Sequence, residues 1–198
     1  MSVVNRGLVV FLAVLAVLVA GLGYELGWFG RHAPVAPPVG GPFALIDQDG
    51  ATRTDADFRG KLMLVYFGYT YCPDVCPATL LAMSQAVDAL GPQADSVQPI
   101  FITVDPARDT PQQMKLYAAN FSPRLVALTG APDALAKAEQ EYRVYAQKAA
   151  PAAGQDPNNY VMDHSSYIYL MGRDGKLAAL IAPDAKAGDI EAAIRKAL

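Results

Sequence analysis

Apolar and polar residues follow one another along this chain in a pattern that predicts strands alternating with helices. Residues 62–67 and 99–104 are short, nearly uninterrupted apolar runs, which are typical of strands buried on both faces. Residues 78–90 carry apolar positions at helical spacing, and the Gly91-Pro92 pair ends that pattern. After residue 42 the pattern predicts strands at 43–46, 62–67, 99–104, 125–128, 166–170 and 176–181, a loop at 149–159, and helices at 78–90, 110–120, 132–146 and 187–198.

The order of these elements predicts the fold class. Strands and helices alternate through most of the chain, and the RDG turn at residues 173–175 joins the last two strands as a hairpin. One further helix closes the chain. This order is typical of an α/β three-layer sandwich, in which helices cover both faces of a central mixed sheet.

The N-terminal part has a different character. Residues 7–24 contain no charged side chain, and about 17–18 apolar residues are enough to span a bilayer, whereas the apolar part of a signal peptide has about 7–15. We therefore predict a cytoplasmic N-terminus at 1–7, an uncleaved transmembrane signal-anchor at 8–29, a Pro/Gly-rich tether at 30–42 and a globular domain at 43–198. A cleaved signal peptide is the alternative. Arg6 before the segment favours a domain outside the cytoplasm.

Charge and cysteine content exclude two classes of protein. The net charge is −3 and the pI is near 5.3, with no run of Lys and Arg, so we expect no nucleic-acid partner. Two cysteines are too few for a scaffold held together by disulfides. In an oxidising compartment, however, two thiols can cycle between dithiol and disulfide.

The two cysteines lie four residues apart in the motif CPDVCP at residues 72–77. A residue before proline is driven away from the α region, and proline is well tolerated at the first helical position. We therefore expect Cys72 in a loop, Cys76 at the N-cap and Pro77 as the first helical residue. The positive end of a helix favours the thiolate. The pair could be a structural disulfide, a redox pair or part of a metal site.

A metal site needs a third ligand, and the globular part offers one histidine, His164. Two thiolates and one imidazole form a soft ligand set that suits Cu(I), whereas structural zinc usually takes four protein ligands. Asp74, Asp105 and Asp163 adjoin the candidate ligands and could orient them. The plainer alternatives are a core or surface histidine and solvated turn carboxylates. We interpret His32, in the tether, as a bystander.

Three motifs taken together resemble the Sco/SenC family: YFGYTYCPDVCP at 66–77, VDPARDTP at 104–111 and YVMDHS at 160–165. The match runs in order over roughly residues 43–198, behind a membrane tether. The resemblance implies a thioredoxin-like fold in which Cys72, Cys76 and His164 bind copper, as Cu(I), Cu(II) or both. It also implies that Asp105 supports the ligands, and we place Asp163 with it.

The resemblance further implies a role in maturing the binuclear copper centre of cytochrome c oxidase. We expect the partners to be the copper-centre subunit of that oxidase and other periplasmic copper chaperones. The expected location is a bacterial inner membrane, crossed once, with the domain facing the periplasm. The leading hypothesis is a copper metallochaperone. The alternatives are a dedicated thiol-disulfide oxidoreductase, in which Cys72 attacks and Cys76 resolves, and a peroxide-reducing enzyme.

Overall fold

The computed structural model describes residues 3–25, 38–150, 156 and 159–198. The chain divides into two compact units, Met1–Pro37 and Pro38–Leu198. The end of the predicted anchor, the first part of the predicted tether with His32, and most of the predicted loop at 149–159 lie outside the described residues.

The first unit contains one long helix, α1, Val3–Glu25. Its segment Gly7–Glu25 is long and apolar enough to cross a membrane. At about 1.5 Å per residue, 19 residues extend close to the roughly 30 Å of a bilayer's hydrocarbon core. The described part of the segment predicted at 8–29 is therefore helical throughout.

The second unit is built on a seven-stranded mixed sheet. The strands of this large sheet are β1 Ala44–Asp47, β2 Thr52–Thr54, β3 Leu62–Gly68, β4 Val97–Thr103, β5 Val126–Thr129, β8 Ile168–Met171 and β9 Leu177–Ile181. A smaller sheet consists of β6 Ala146–Lys148 and β7 Met162–His164. The large sheet has the order β2-β1-β5-β4-β3-β8-β9. Strands β3, β4 and β5 are parallel, and the remaining pairs are antiparallel. The predicted mixed sheet is confirmed.

Helices cover both faces of this sheet, as predicted. They are α2 Val75–Asp88, α3 Pro111–Ala118, α4 Pro132–Tyr142 and α5 Ala187–Ala197. All seven residues of β3 are buried, which requires cover on both sides. The N-terminus of α3 agrees with its sequence signal, because Thr110 Oγ1 accepts a hydrogen bond from the backbone N–H of Gln113 at 3.3 Å.

One predicted helix was wrong in its C-terminal boundary, and two short strands were not predicted. The predicted helix 132–146 ends at Tyr142, because Arg143 adopts a left-handed backbone conformation with φ 55°, which cannot continue a right-handed helix. The chain that this frees forms β6, which pairs with β7 in a separate antiparallel two-stranded sheet. Neither of these short strands was predicted. They matter because β7 carries His164.

Candidate metal centre

The two cysteines lie where β3 leads through a short loop into α2. Both are free cysteines; Cys72 is half-buried and Cys76 is fully buried. Gly68, the last residue of β3, lies so close to Cys76 that an added Cβ would be 2.8 Å from its Sγ. The absence of a side chain at Gly68 therefore makes room for the buried sulfur.

The predicted position of Cys76 was wrong by two residues. Asp74 occupies the N-cap of α2, and Cys76 is its second residue. The helix tolerates the proline at 77 because the first-turn N–H groups have no intrahelical acceptor, so a missing donor there costs little. The backbone N–H of Cys76 finds a partner in Cys72 Sγ at 3.4 Å. Cys72 lies outside the helix, as predicted.

Only one of the two sulfurs carries negative charge, and it is not the one that the helix argument favoured. Hydrogen bonds from Cys76, from His164 and from the backbone N–H groups of Cys76 and Asp74 outweigh burial and lower the pKa of Cys72 to about 3. The hydrogen bond with Cys72 and burial raise the pKa of Cys76. The pair therefore consists of a Cys72 thiolate and a Cys76 thiol.

His164 reaches this pair from β7, although it lies 88 residues further along the chain. Its Nε2 is 3.6 Å from Cys76 Sγ, and its Nδ1 is 3.0 Å from the carbonyl oxygen of Ser165. A carbonyl can only accept, so Nδ1 donates to it, and Nε2 is the nitrogen that faces the sulfurs. The rings of Tyr66 and Tyr69 pack edge-on against the imidazole, with centroids 6.4 and 5.8 Å away.

The aspartates named in the sequence analysis have different surroundings. Asp105 is buried; it accepts hydrogen bonds from Arg108 Nε at 2.5 Å and from the Tyr160 hydroxyl at 2.8 Å. It therefore acts on the segment that leads to His164, not on the ligands directly. Asp163 is exposed, and because neighbouring strand residues point to opposite sides, it points away from the side on which His164 lies.

Sequence reasoning missed a buried carboxylate, Asp109, that holds the cysteine loop. Its oxygens accept from the Thr70 backbone N–H at 3.0 Å and from the hydroxyls of Thr70 and Thr103 at 2.6 Å each. Burial raises its pKa. Its place in the VDPARDTP motif was visible, but a charged residue before a helix is usually a solvated turn residue.

Sequence reasoning also missed Tyr66, the first residue of the motif at 66–77 that contains both cysteines. Its hydroxyl lies 3.6 Å from Cys76 Sγ, and burial raises the pKa of the phenol. The side chain therefore remains a neutral hydrogen-bond donor next to the buried sulfur. An aromatic residue in an apolar strand gave no sign of this, because most such residues only pack.

The arrangement offers two sulfur donors and one imidazole nitrogen, a set suited to a soft ion. No three Cys, His, Asp or Glu side chains of the described residues form a closed metal site as they stand. Cys76 and His164 already face each other, and hydrogen bonds link Cys72 to both of them.

Comparison with protein families gives one match over most of the chain. The model of the family described as SCO1/SenC matches residues 31–198. The protein sco1 of Schizosaccharomyces pombe is 42% identical over 161 residues, which are 80% of this chain and 60% of that protein. The mitochondrial SCO2 homologue of Bos taurus is 46% identical over 137 residues, 68% of this chain and 50% of that protein. The chain thus spans between a half and three fifths of these relatives.

Two solved structures are similar over about four fifths of the chain. Bradyrhizobium japonicum ScoI with copper bound is 44% identical, with a TM-score of 0.73, and the match covers 81% of this chain and 99% of that one. Yeast Sco1 with copper bound is 36% identical, with a TM-score of 0.72, covering 81% and 88%. The predicted fold class is confirmed by this similarity.

Proposed function

The chain belongs to the SCO1/SenC family, and from this premise we propose that it is a membrane-anchored copper metallochaperone that binds copper through Cys72, Cys76 and His164. Its cargo would be passed to the copper-centre subunit of cytochrome c oxidase during assembly of the binuclear centre. Other periplasmic copper chaperones would supply the ion. Copper is bound in the similar ScoI and Sco1 structures, which supports the same cargo here.

The observation that carries the proposal is the approach of His164 Nε2 to within 3.6 Å of Cys76 Sγ. The Ser165 carbonyl occupies Nδ1, which leaves Nε2 as the ring nitrogen available to an ion. A histidine that only packed would not need to direct a ring nitrogen at the buried cysteine of the pair. Thiolate and imidazole donors suit Cu(I), which accepts low coordination numbers.

The unequal thiols suggest how cargo is taken up and released. Cys76, buried beside His164, would give up its proton as it binds the ion, because the ligand is the thiolate. Cys72 is already ionised and half-exposed, so a thiolate of the acceptor can approach the ion from that side. Exchange would proceed as the acceptor's sulfur binds and Cys72 leaves, and no electrons are transferred.

Anaerobic titration of the full chain in detergent with Cu(I), against a chromophoric chelator, tests the ligand set. We expect one ion per chain, and a large loss of affinity in Cys72→Ser, Cys76→Ser and His164→Ala. His32→Ala is the matched control, because His32 is the only other histidine, and it should bind like wild type. A His164→Ala variant with unchanged affinity would contradict the three-ligand site.

A dedicated thiol-disulfide oxidoreductase is the second candidate, favoured by the low pKa of Cys72 and its partial exposure. Here the Cys72 thiolate would attack an acceptor disulfide and displace one thiolate. Cys76 would then lose its proton and attack Cys72, releasing the second acceptor thiolate. The acceptor gains two electrons, and this chain becomes a Cys72–Cys76 disulfide.

The two candidates differ in what they need from His164. Reduction of an acceptor disulfide should survive His164→Ala and stop in Cys76→Ser with a trapped mixed disulfide. Copper transfer should fail in both variants. If the reduced chain leaves the oxidised acceptor intact over hours, the oxidoreductase is excluded and delivery alone remains.

We also propose that α1 anchors the domain in the inner membrane, with the cysteines on the periplasmic side. The apolar segment Gly7–Glu25 and the preceding Arg6 support this orientation. A membrane-impermeant maleimide should label Cys72 in intact spheroplasts, with Cys72→Ser as the control for specificity. Labelling only after lysis would reverse the orientation, and recovery of the chain without detergent would exclude anchoring.

A further inference from the structure

One arginine in the loop after β4 contacts both segments that carry the candidate ligands. The guanidinium carbon of Arg108 lies 4.7 Å from the ring centroid of Tyr71 and 5.7 Å from that of Tyr69, both in the cysteine loop. It lies 3.7 Å from the ring centroid of Tyr160, which precedes His164 by four residues. Cations within about 6 Å of an aromatic centroid are attracted to the ring face.

The polar contacts of the same group form a closed ring. Arg108 Nε donates to Asp105 Oδ2 at 2.5 Å, and Nη1 donates to the carbonyl oxygen of Tyr160 at 2.9 Å. The Tyr160 hydroxyl completes the ring by donating to Asp105 Oδ1 at 2.8 Å. Only a planar guanidinium can donate in two directions while its faces lie against aromatic rings.

Strand β7 needs such a contact because the large sheet does not position it. In the described part of the chain β7 pairs with β6, and the two form a sheet of their own. After His164 the chain enters β8, which is hydrogen-bonded to β3. Before His164 it is Tyr160 that is tied to Arg108. The imidazole is therefore held from one side by the sheet and from the other by the arginine.

The same ion pair is a poor device for stability alone. The Arg108 side chain is 16% exposed and that of Asp105 is 4% exposed, and buried ion pairs are often replaceable by apolar residues without loss of stability. None of the described residues accepts a hydrogen bond from Arg108 Nη2, which is buried, and a buried donor without an acceptor is costly. Positioning of the segment before His164 therefore accounts for the contacts of Arg108 better than a contribution to stability does.

We propose that Arg108 is a positioning residue for the copper site, which keeps His164 Nε2 directed at Cys76 Sγ by fixing Tyr160 relative to the cysteine loop. The expected effect of Arg108 on copper binding rests on the proposed function. The contacts that hold His164 in place do not, because they are present in the metal-free chain. Among the described residues, Arg108 makes no hydrogen bond or ring contact with any of the three candidate ligands. We assign its effect on the ion to the segment that carries His164; an effect through the cysteine loop would appear as an equal loss of affinity with and without His164.

A double-mutant cycle on the full chain in detergent tests this dependence. Cu(I) affinity is measured by chelator competition for wild type, Arg108→Met, His164→Ala and the double variant. Groups that orient metal ligands typically contribute about 10- to 100-fold in affinity, and we expect Arg108→Met to lose that much in the wild-type background. In the His164→Ala background the same substitution should change affinity by less than about twofold.

Matched variants separate positioning from general damage. Arg53 also pairs with a buried aspartate, Asp47, at 2.8 Å, although its side chain is more exposed than that of Arg108, so Arg53→Met removes a comparable ion pair and should leave Cu(I) affinity unchanged. Arg108→Lys keeps the charge but lacks the planar fork, and serves if Arg108→Met does not fold. We expect it to lose affinity as well. Unchanged affinity in Arg108→Lys and Arg108→Met, or equal losses with and without His164, would overturn the proposal.

An NMR measurement on the metal-free protein keeps the proposal testable even if copper does not bind. The chain has two histidines, so the ring signals of His164 in a histidine-labelled sample are assigned by His164→Ala. The neighbouring Tyr69 ring makes these signals sensitive to position. Arg108→Met should shift them and leave those of His32 in place, whereas Arg53→Met should shift neither. If wild type fails to bind Cu(I), the proposed function fails, and unmoved His164 signals in Arg108→Met would separately exclude the positioning role.

Discussion

Loading the full chain with one Cu(I) at pH 8 should release about one proton, because only one of the two cysteine ligands carries a proton beforehand. Hydrogen bonds from Cys76 and His164 lower the pKa of Cys72 to about 3, so this sulfur is ionised well below pH 8. The hydrogen bond with Cys72 and burial raise the pKa of Cys76, so its thiol keeps its proton.

Isothermal titration calorimetry in two buffers of different ionisation enthalpy measures this number directly. Cys72→Ser should still release about one proton, since Cys76 remains a buried thiol, whereas Cys76→Ser should release almost none. Release of two protons by wild type would show that both thiols are protonated before binding. Equal proton release by wild type and Cys76→Ser would show that the released proton does not come from Cys76. Either result would refute the division of charge between the two cysteines.

Three further substitutions test other parts of the account. Asp109→Ala should lower the free energy of unfolding by about 2–4 kcal/mol, because three donors lose a charged acceptor. Urea titrations followed by far-UV circular dichroism measure this change, and Asp95→Ala, at an exposed position, should change the free energy little. An equal effect of the two substitutions would contradict the role of Asp109 in holding the cysteine loop. Tyr66→Phe should weaken Cu(I) binding about 2- to 10-fold, because the hydroxyl no longer favours the Cys76 thiolate; unchanged affinity would assign the tyrosine to packing. Burial raises the pKa of Glu139 to about 7, so the folded chain holds this proton more tightly than the unfolded chain does. The folded chain therefore loses stability as pH rises from about 4.3 to about 7. Glu139→Gln lacks this titration and should therefore gain stability relative to wild type between pH 5 and pH 8. Parallel profiles of unfolding free energy against pH for the two proteins would contradict the raised pKa of Glu139.

The large sheet was predictable because its central strands are apolar over their whole length. Residues 62–67 are buried in β3, as that composition requires, and the RDG turn correctly joined β8 to β9. The two strands of the small sheet were not predictable. Residues 146–148 and 162–164 are short and half-exposed, and their pairing depends on the turn that the chain makes at Arg143, where a non-glycine residue takes a positive φ.

At the candidate site, residue chemistry identified the possible ligands but not the groups that control them. Cysteine and histidine are scarce in this chain, with two of each, so Cys72, Cys76 and His164 stood out. Arg108 and Asp109 act through contacts with residues more than 35 positions away in sequence, and no local pattern reveals such contacts. The position of the thiolate was misjudged for the same reason, since it depends on hydrogen bonds that form only in the folded loop.

X-ray absorption of the Cu(I)-loaded full chain tests the central claim most directly, because it counts the atoms bound to the ion. The account predicts two sulfur ligands and one imidazole nitrogen, with the imidazole signal lost in His164→Ala and retained in His32→Ala. A spectrum with sulfur ligands alone, or an imidazole signal that persists in His164→Ala, would contradict the copper site formed by Cys72, Cys76 and His164.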